Sequence, residues 1–199
     1  MSLKDEMQKE AEQYGVKAGE GSDFFKFQKG VNKLRILNKP TILAMHFFGK
    51  GEKAVVCIGI AENCPHHKED DPKASVKLVT YVVDREDGKV KLAELPLSVG
   101  YALNNYMEDE DYAFDEFPMP YDVKITHDPD NSDPKSKYVL IPSPNKTDLT
   151  EEEQKAFDDA MQKITPEDYV EKRKDKFRPQ KQASDYPDEE AVSPDDIPF

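Results

Sequence analysis

The sequence predicts a mainly β domain with added α-helices and an acidic tail, and three observations carry that prediction. Between residues 24 and 60, short runs rich in aromatic and β-branched residues alternate with Gly and Pro, the pattern of a strand meander. Further on, Asp87-Gly88 separates two more such runs and supplies the positive-φ position that a tight hairpin turn requires. Hydrophobic residues make up 37% and charged residues 35% of the 199 positions, too little apolar material to fill the whole length. One sizeable domain with polar extensions is therefore expected.

Residues 1–22 read as an N-terminal extension, within which 2–14 predict a short polar helix whose apolar positions Leu3, Met7 and Tyr14 form a thin stripe. A domain over 23–144 follows. Its first strands are expected at Phe24–Gln28, Asn32–Leu37, Thr41–Phe48 and Ala54–Ile60, punctuated by Gly30, Pro40 and the turn Gly49-Lys50-Gly51. Ser75–Asp84 and Lys89–Leu95 form the predicted hairpin. Over Leu97–Met107 the period changes, with Val99, Leu103 and Tyr106 spaced for one helical face, and Asp122–Thr126 and Lys137–Ile141 return to strand character. Strands, one helix and further strands is the element order of an OB-fold, so an OB-fold-like β-barrel is the expected class.

Residues 145–176 are helical in grammar: Thr150-Glu151-Glu152-Glu153 is a capping box, and Thr165-Pro166-Glu167-Asp168 places Pro at the first helical position behind a second Thr cap. Helices are expected at about 151–163 and 167–176. From 177 to 199 few apolar anchors offset the entropy of ordering, and a disordered acidic tail is expected.

The net charge of -13 argues at first against an anionic partner, but the charge is unevenly distributed. From Asp23 to Ile60 seven basic residues face two acidic ones, whereas Gln182–Phe199 holds six acids and no base. No apolar run has the length of a membrane span, and residues 1–22 lack the apolar stretch of a secretory signal, so a cytoplasmic setting is expected. In that reducing setting Cys57 and Cys64 read as thiols or metal ligands. No Walker-type Gly-rich loop, G-x-S-x-G elbow or H-E-x-x-H occurs, and the acidic run Glu108–Asp111 reads as a solvated loop, so no enzyme is expected.

The final residues Asp195, Asp196, Ile197, Pro198 and Phe199 resemble the C-terminal tip of bacterial single-stranded-DNA-binding proteins. The chemistry is intelligible by itself, because Phe199 joins a ring to an α-carboxylate and suits a pocket with an apolar floor and a cationic lip. The resemblance implies that this tip docks replication and recombination partners and competes with DNA for the binding domain. The body of the chain is similar to phage single-stranded-DNA-binding proteins in Phe24–Leu37, Asp84–Val99 and Phe114–Tyr121. That implies sequence-independent coating of single strands during phage replication and recombination, in the cytoplasm of a bacterial host.

Such binders join a cationic groove to aromatic faces on which bases stack. The candidates are Lys33, Arg35, Phe47, Phe48, Lys50, Lys53, Lys77, Tyr81, Arg85, Lys89, Lys91 and Tyr138. Strand alternation lets only one of Phe47 and Phe48 face inward, so the other is expected to be exposed. The competing expectation from the net charge is an acidic DNA mimic or adaptor that binds a host protein and never touches DNA.

His46, Cys57, Cys64 and His67 run as H-x10-C-x6-C-x2-H, with His66 an alternative fourth ligand. The spacing is similar to the His and Cys zinc motif of T-even phage helix-destabilising proteins. Zinc there would fix a loop that has little apolar material of its own, and four protein ligands make such a site structural. Without a metal, Cys57 reads as a small buried hydrophobe and Cys64–His67 as an exposed turn.

Overall fold

The computed structural model describes residues 24–49, 53–68, 71–133 and 136–178. The predicted N-terminal helix, Lys50 and the acidic tail with its tip lie outside the described residues. Seven strands form one antiparallel sheet: β1 (Gly30–Ile36), β2 (Thr41–His46), β3 (Val55–Val56), β4 (Ser75–Asp84), β5 (Lys89–Pro96), β6 (Tyr121–His127) and β7 (Tyr138–Lys146). Among the described residues three helices join them: α1 (Leu97–Met107), α2 (Glu151–Lys163) and α3 (Pro166–Asp175).

The long strand β4 organises the sheet. One edge pairs with β2 over its first half (Thr41↔Val79 to Met45↔Ser75) and with β1 over its second (Leu34↔Asp84 to Ile36↔Val82), while the other edge carries β5 along most of its length. From β1 the sheet continues to β6 and β7, and from β2 to β3. The β4–β5 turn is the expected one, with Gly88 at φ 69° and its N–H donating to the Asp84 carbonyl at 2.8 Å. Among the described residues β3, β5 and β7 do not pair with one another, so the strands form an open sheet and not a closed barrel.

Two expected strands are shorter than the residue pattern suggested. Phe24–Gln28 makes a single parallel bridge, Phe24↔Leu92, because the Asn32 side chain takes up the polar groups of Gln28: it accepts from the Gln28 N–H and donates to the Gln28 carbonyl. Ala54–Ile60 pairs only at Val55–Val56, after which the chain leaves the sheet through the loop that holds Cys57 and Cys64.

Both faces of the sheet are packed. On one, Leu34, Ile36, Val82, Leu95, Val123 and Ile125 meet Val99 and Leu103 of α1. Gly100 lets this helix sit close, since a Cβ there would stand 2.3 Å from Leu78 Cδ1. On the other, Leu43, Val79, Tyr81, Val83 and Leu92 meet Phe157, Met161, Tyr169 and Val170 of α2 and α3. Both C-terminal helices start at the predicted caps: Thr150 and Thr165 accept from the backbone N–H groups of Glu153 and Asp168, whose carboxylates bond back to the cap N–H groups. No helix among the described residues is long and apolar enough to cross a membrane.

Candidate metal centre and nucleic-acid interface

His46 ends β2, Cys57 follows β3, and Cys64 and His67 lie on the loop beyond, where Cys64 N–H donates to the Gly59 carbonyl. Folding brings one ligand atom from each to within 4.8 Å of the others. Cys57 Sγ lies 3.1 Å from His67 Nε2 and Cys64 Sγ 3.7 Å from His46 Nε2. Tetrahedral zinc with N and S ligands sets neighbouring ligand atoms about 3.3–3.8 Å apart, so both contacts are close to metal-binding separations.

The protonation pattern fits as well. His46 Nδ1 lies 2.9 Å from the Pro72 carbonyl, which can only accept, so Nδ1 carries a proton and, in the neutral ring, Nε2 presents its lone pair toward Cys64. Burial, with Cys64 alongside, pushes the Cys57 thiol up, and a bound cation is the kind of neighbour that would bring it to the thiolate. His46, Cys57 and Cys64 are buried and His67 is exposed. Of the two candidates for the fourth place, His67 joins the cluster, whereas His66 packs edge-on against Phe48, ring centroids 4.9 Å apart.

The residues proposed for DNA divide sharply. Arg35 is a correction: it is 1% exposed, donates through Nε to Asp122 at 2.8 Å and through its terminal nitrogens to Thr147, and its charge is spent inside the protein. Tyr81 is a second correction. It is 5% exposed, and its hydroxyl donates to the carbonyls of Ala160 and Ile164, tying α2 to β4. Arg85 pairs with Asp122 and Glu153, Lys77 with Glu94, and Lys91 with Asp84 and Asp87. Their charges are neutralised locally. Lys33, Lys53 and Lys89 are exposed and have no ion pair among the described residues. Phe47 is the exposed member of its pair at 46%, while Phe48 turns inward toward His46. Tyr138 is half-buried and stacks on His127, centroids 4.6 Å apart and planes 6° from parallel.

The sheet register adds a feature that no short motif displays. Lys33 of β1 lies directly opposite Lys124 of β6, and Lys124 directly opposite Ile141 of β7. In the next row of the same face Val31, Thr126 and Val139 stand in line. Val31, Ile141 and Val139 are exposed, as are both lysines. Like charges directly across a strand pair destabilise a sheet, so the fold tolerates a local cost at this point. Beside the row opens a cleft of about 650 Å³, lined by Phe24, Lys26, Val31, Lys33 and Arg85 together with the acidic Asp84 and Glu86. Phe24, Lys26 and Lys124 were not among the sequence candidates. Lys124 stands out only once the β1–β6 register places it across from Lys33.

Comparison with known family models, with curated proteins and with solved structures finds no match to this chain.

Proposed function

We propose that this protein is a non-catalytic single-stranded-DNA-binding protein that coats unwound strands without sequence preference. The observation that carries the reading is the Lys33–Lys124 pair, two exposed cations in register on neighbouring strands with apolar side chains around them. A phosphate bridging the pair would turn an unfavourable contact into a favourable one. The exposed apolar residues and the 41%-exposed Phe24 ring offer surfaces for bases, for which each good stack is worth about 1–3 kcal/mol. Within this proposal the sheet, with α1 between β5 and β6, is an open variant of an OB-like arrangement.

The His46, Cys57, Cys64 and His67 cluster would hold a structural zinc ion, which fits its donor set, its separations and the His46 tautomer. The ion would supply no chemistry beyond holding the loop, because the four protein groups fill a tetrahedral shell. Metal analysis of untagged protein is expected to find about one zinc per chain, and Cys64→Ser to remove it. Less than about a tenth of an equivalent in the unmodified protein rejects the site.

The residues Asp195–Phe199 would address partner proteins of replication and recombination, a reading that rests on the sequence resemblance. Deleting Phe199 is expected to spare DNA binding and abolish pull-down of a host helicase or exonuclease; equal pull-down by both forms removes the assignment. With nine Tyr and no Trp, binding of oligo-dT should quench tyrosine fluorescence, and increasingly weakly as salt rises. Unchanged fluorescence together with no gel shift at low salt would instead favour the acidic mimic or adaptor.

A further inference from the structure

The face of β5 toward α2 borders a groove of about 890 Å³ that shares Phe24 with the proposed DNA-binding surface. Its walls are Val90 and Leu92 from the strand and Ala156, Ala160 and Ile164 from the helix side, and Phe24 also lines it. Val90 and Ala160 are only half-buried, so the second core is left partly open along this line. On the side away from β4, among the described residues, β5 pairs with the chain at Phe24 and Phe25, where Phe24 bridges Leu92 and the Phe25 N–H donates to the Leu92 carbonyl at 2.8 Å.

We propose that this groove is the docking site of the protein's own residues 2–14, which lay Leu3, Met7 and Tyr14 against Val90, Leu92 and Ala160. Three observations choose this occupant. The Phe24↔Leu92 bridge is parallel, so the described chain begins beside β5, at the edge of the groove. The connection is short: as a flexible linker the nine residues 15–23, with Gly15, Gly19 and Gly21, would have a root-mean-square reach of about 16 Å. Phe24 itself lines the groove, so a tether of that length holds the segment at millimolar effective concentration. Finally, Leu3, Met7 and Tyr14 fall on one side of a helix, an apolar stripe that needs a partner and is too narrow to form a core.

The test is hydrogen exchange of the full chain against Leu3→Asp/Met7→Asp. The variant is expected to exchange at least tenfold faster at Val90, Leu92 and Ala156–Ala160 and to be unchanged in β1 and β6, and the hydrophobic dye ANS should bind it more strongly. A synthetic peptide of residues 1–16, added to protein lacking residues 2–14, should restore protection at those amides. Equal exchange in both full-length forms overturns the proposal. So does a dimer that becomes a monomer on deletion of 2–14, which would assign the groove to the segment of a second copy. Oligo-dT affinity at low salt should be unchanged by Leu3→Asp/Met7→Asp, which keeps this proposal separable from the DNA-binding reading.

Discussion

One face of the sheet has two halves that treat their cations in opposite ways. Over β4 and β5 it is covered by α2 and α3, and three cations there are paired with carboxylates: Lys77 with Glu94, Arg173 with Glu94, and Arg85 with Glu153. Arg35, at the boundary, is sealed against Asp122 and Thr147. Where β1, β6 and β7 bring Lys33, Lys124 and Ile141 into line the face is exposed, and Lys33 and Lys124 face each other without a carboxylate partner among the described residues. The difference teaches what each half is for. Covered cations must be paired, because an unpaired buried charge is expensive, and their partners fasten helices to strands. Bare cations left in mutual repulsion break the local rule of sheet pairing, and such breaks concentrate at functional sites.

The strongest way to break the comparison is to unpair the covered half. Arg35→Ala is expected to cost about 3 kcal/mol of folding stability in urea denaturation, since Asp122 loses one of its two guanidinium partners and Thr147 its donor. Once the variant is folded, oligo-dT binding should be unchanged. A loss of affinity with no loss of stability would instead put Arg35 among the DNA-binding groups.

A milder perturbation is acid. Burial would raise the Glu94 carboxyl, but hydrogen bonds from Lys77 and Tyr169 and the charge of Arg173 hold it below its ordinary value of 4.5. The folded state therefore keeps this charge to lower pH than the unfolded chain. Its contribution is present above pH 4.5 and is lost as pH falls through the lower folded value. The wild-type Tm should drop more steeply than that of Glu94→Gln over that window, and parallel curves would mean that the network does not hold α3 to β5.

Smaller again is the cap of α2. Thr150→Ala should cost about 1 kcal/mol, because the Glu153 N–H loses its acceptor. DNA affinity should be unaffected. A fall in affinity would tie the bare half to the covered one.

Much of this was legible in the residues, and for definite reasons. The helix caps, Asp87-Gly88 and the period of α1 are local signals, and each appears where the sequence placed it. The clustering of His46, Cys57, Cys64 and His67 was legible because His and Cys are few, so H-x10-C-x6-C-x2-H had little competition; only the choice between His66 and His67 required the loop's path. The basic residues were not legible individually. Arg35 and Lys33 lie two apart on one strand and share a face, yet one is sealed beneath Thr147 and the other is bare, a difference set by a segment more than a hundred residues away. Strand pairing also decided the short Phe24–Gln28 and Ala54–Ile60 segments, where a side-chain turn and a loop displaced the ladder that composition favours. The same holds for closure: element order suggested a barrel, and the pairings of β3, β5 and β7 leave the sheet open.

The most direct measurement compares oligo-dT binding by the wild type with Lys33→Glu/Lys124→Glu across a salt series. Two lost phosphate contacts should weaken binding at least tenfold at low salt and reduce the slope of log affinity against log salt by about 1.4, with the fold intact. Identical affinity and slope for the two proteins would contradict the assignment of this face to nucleic acid.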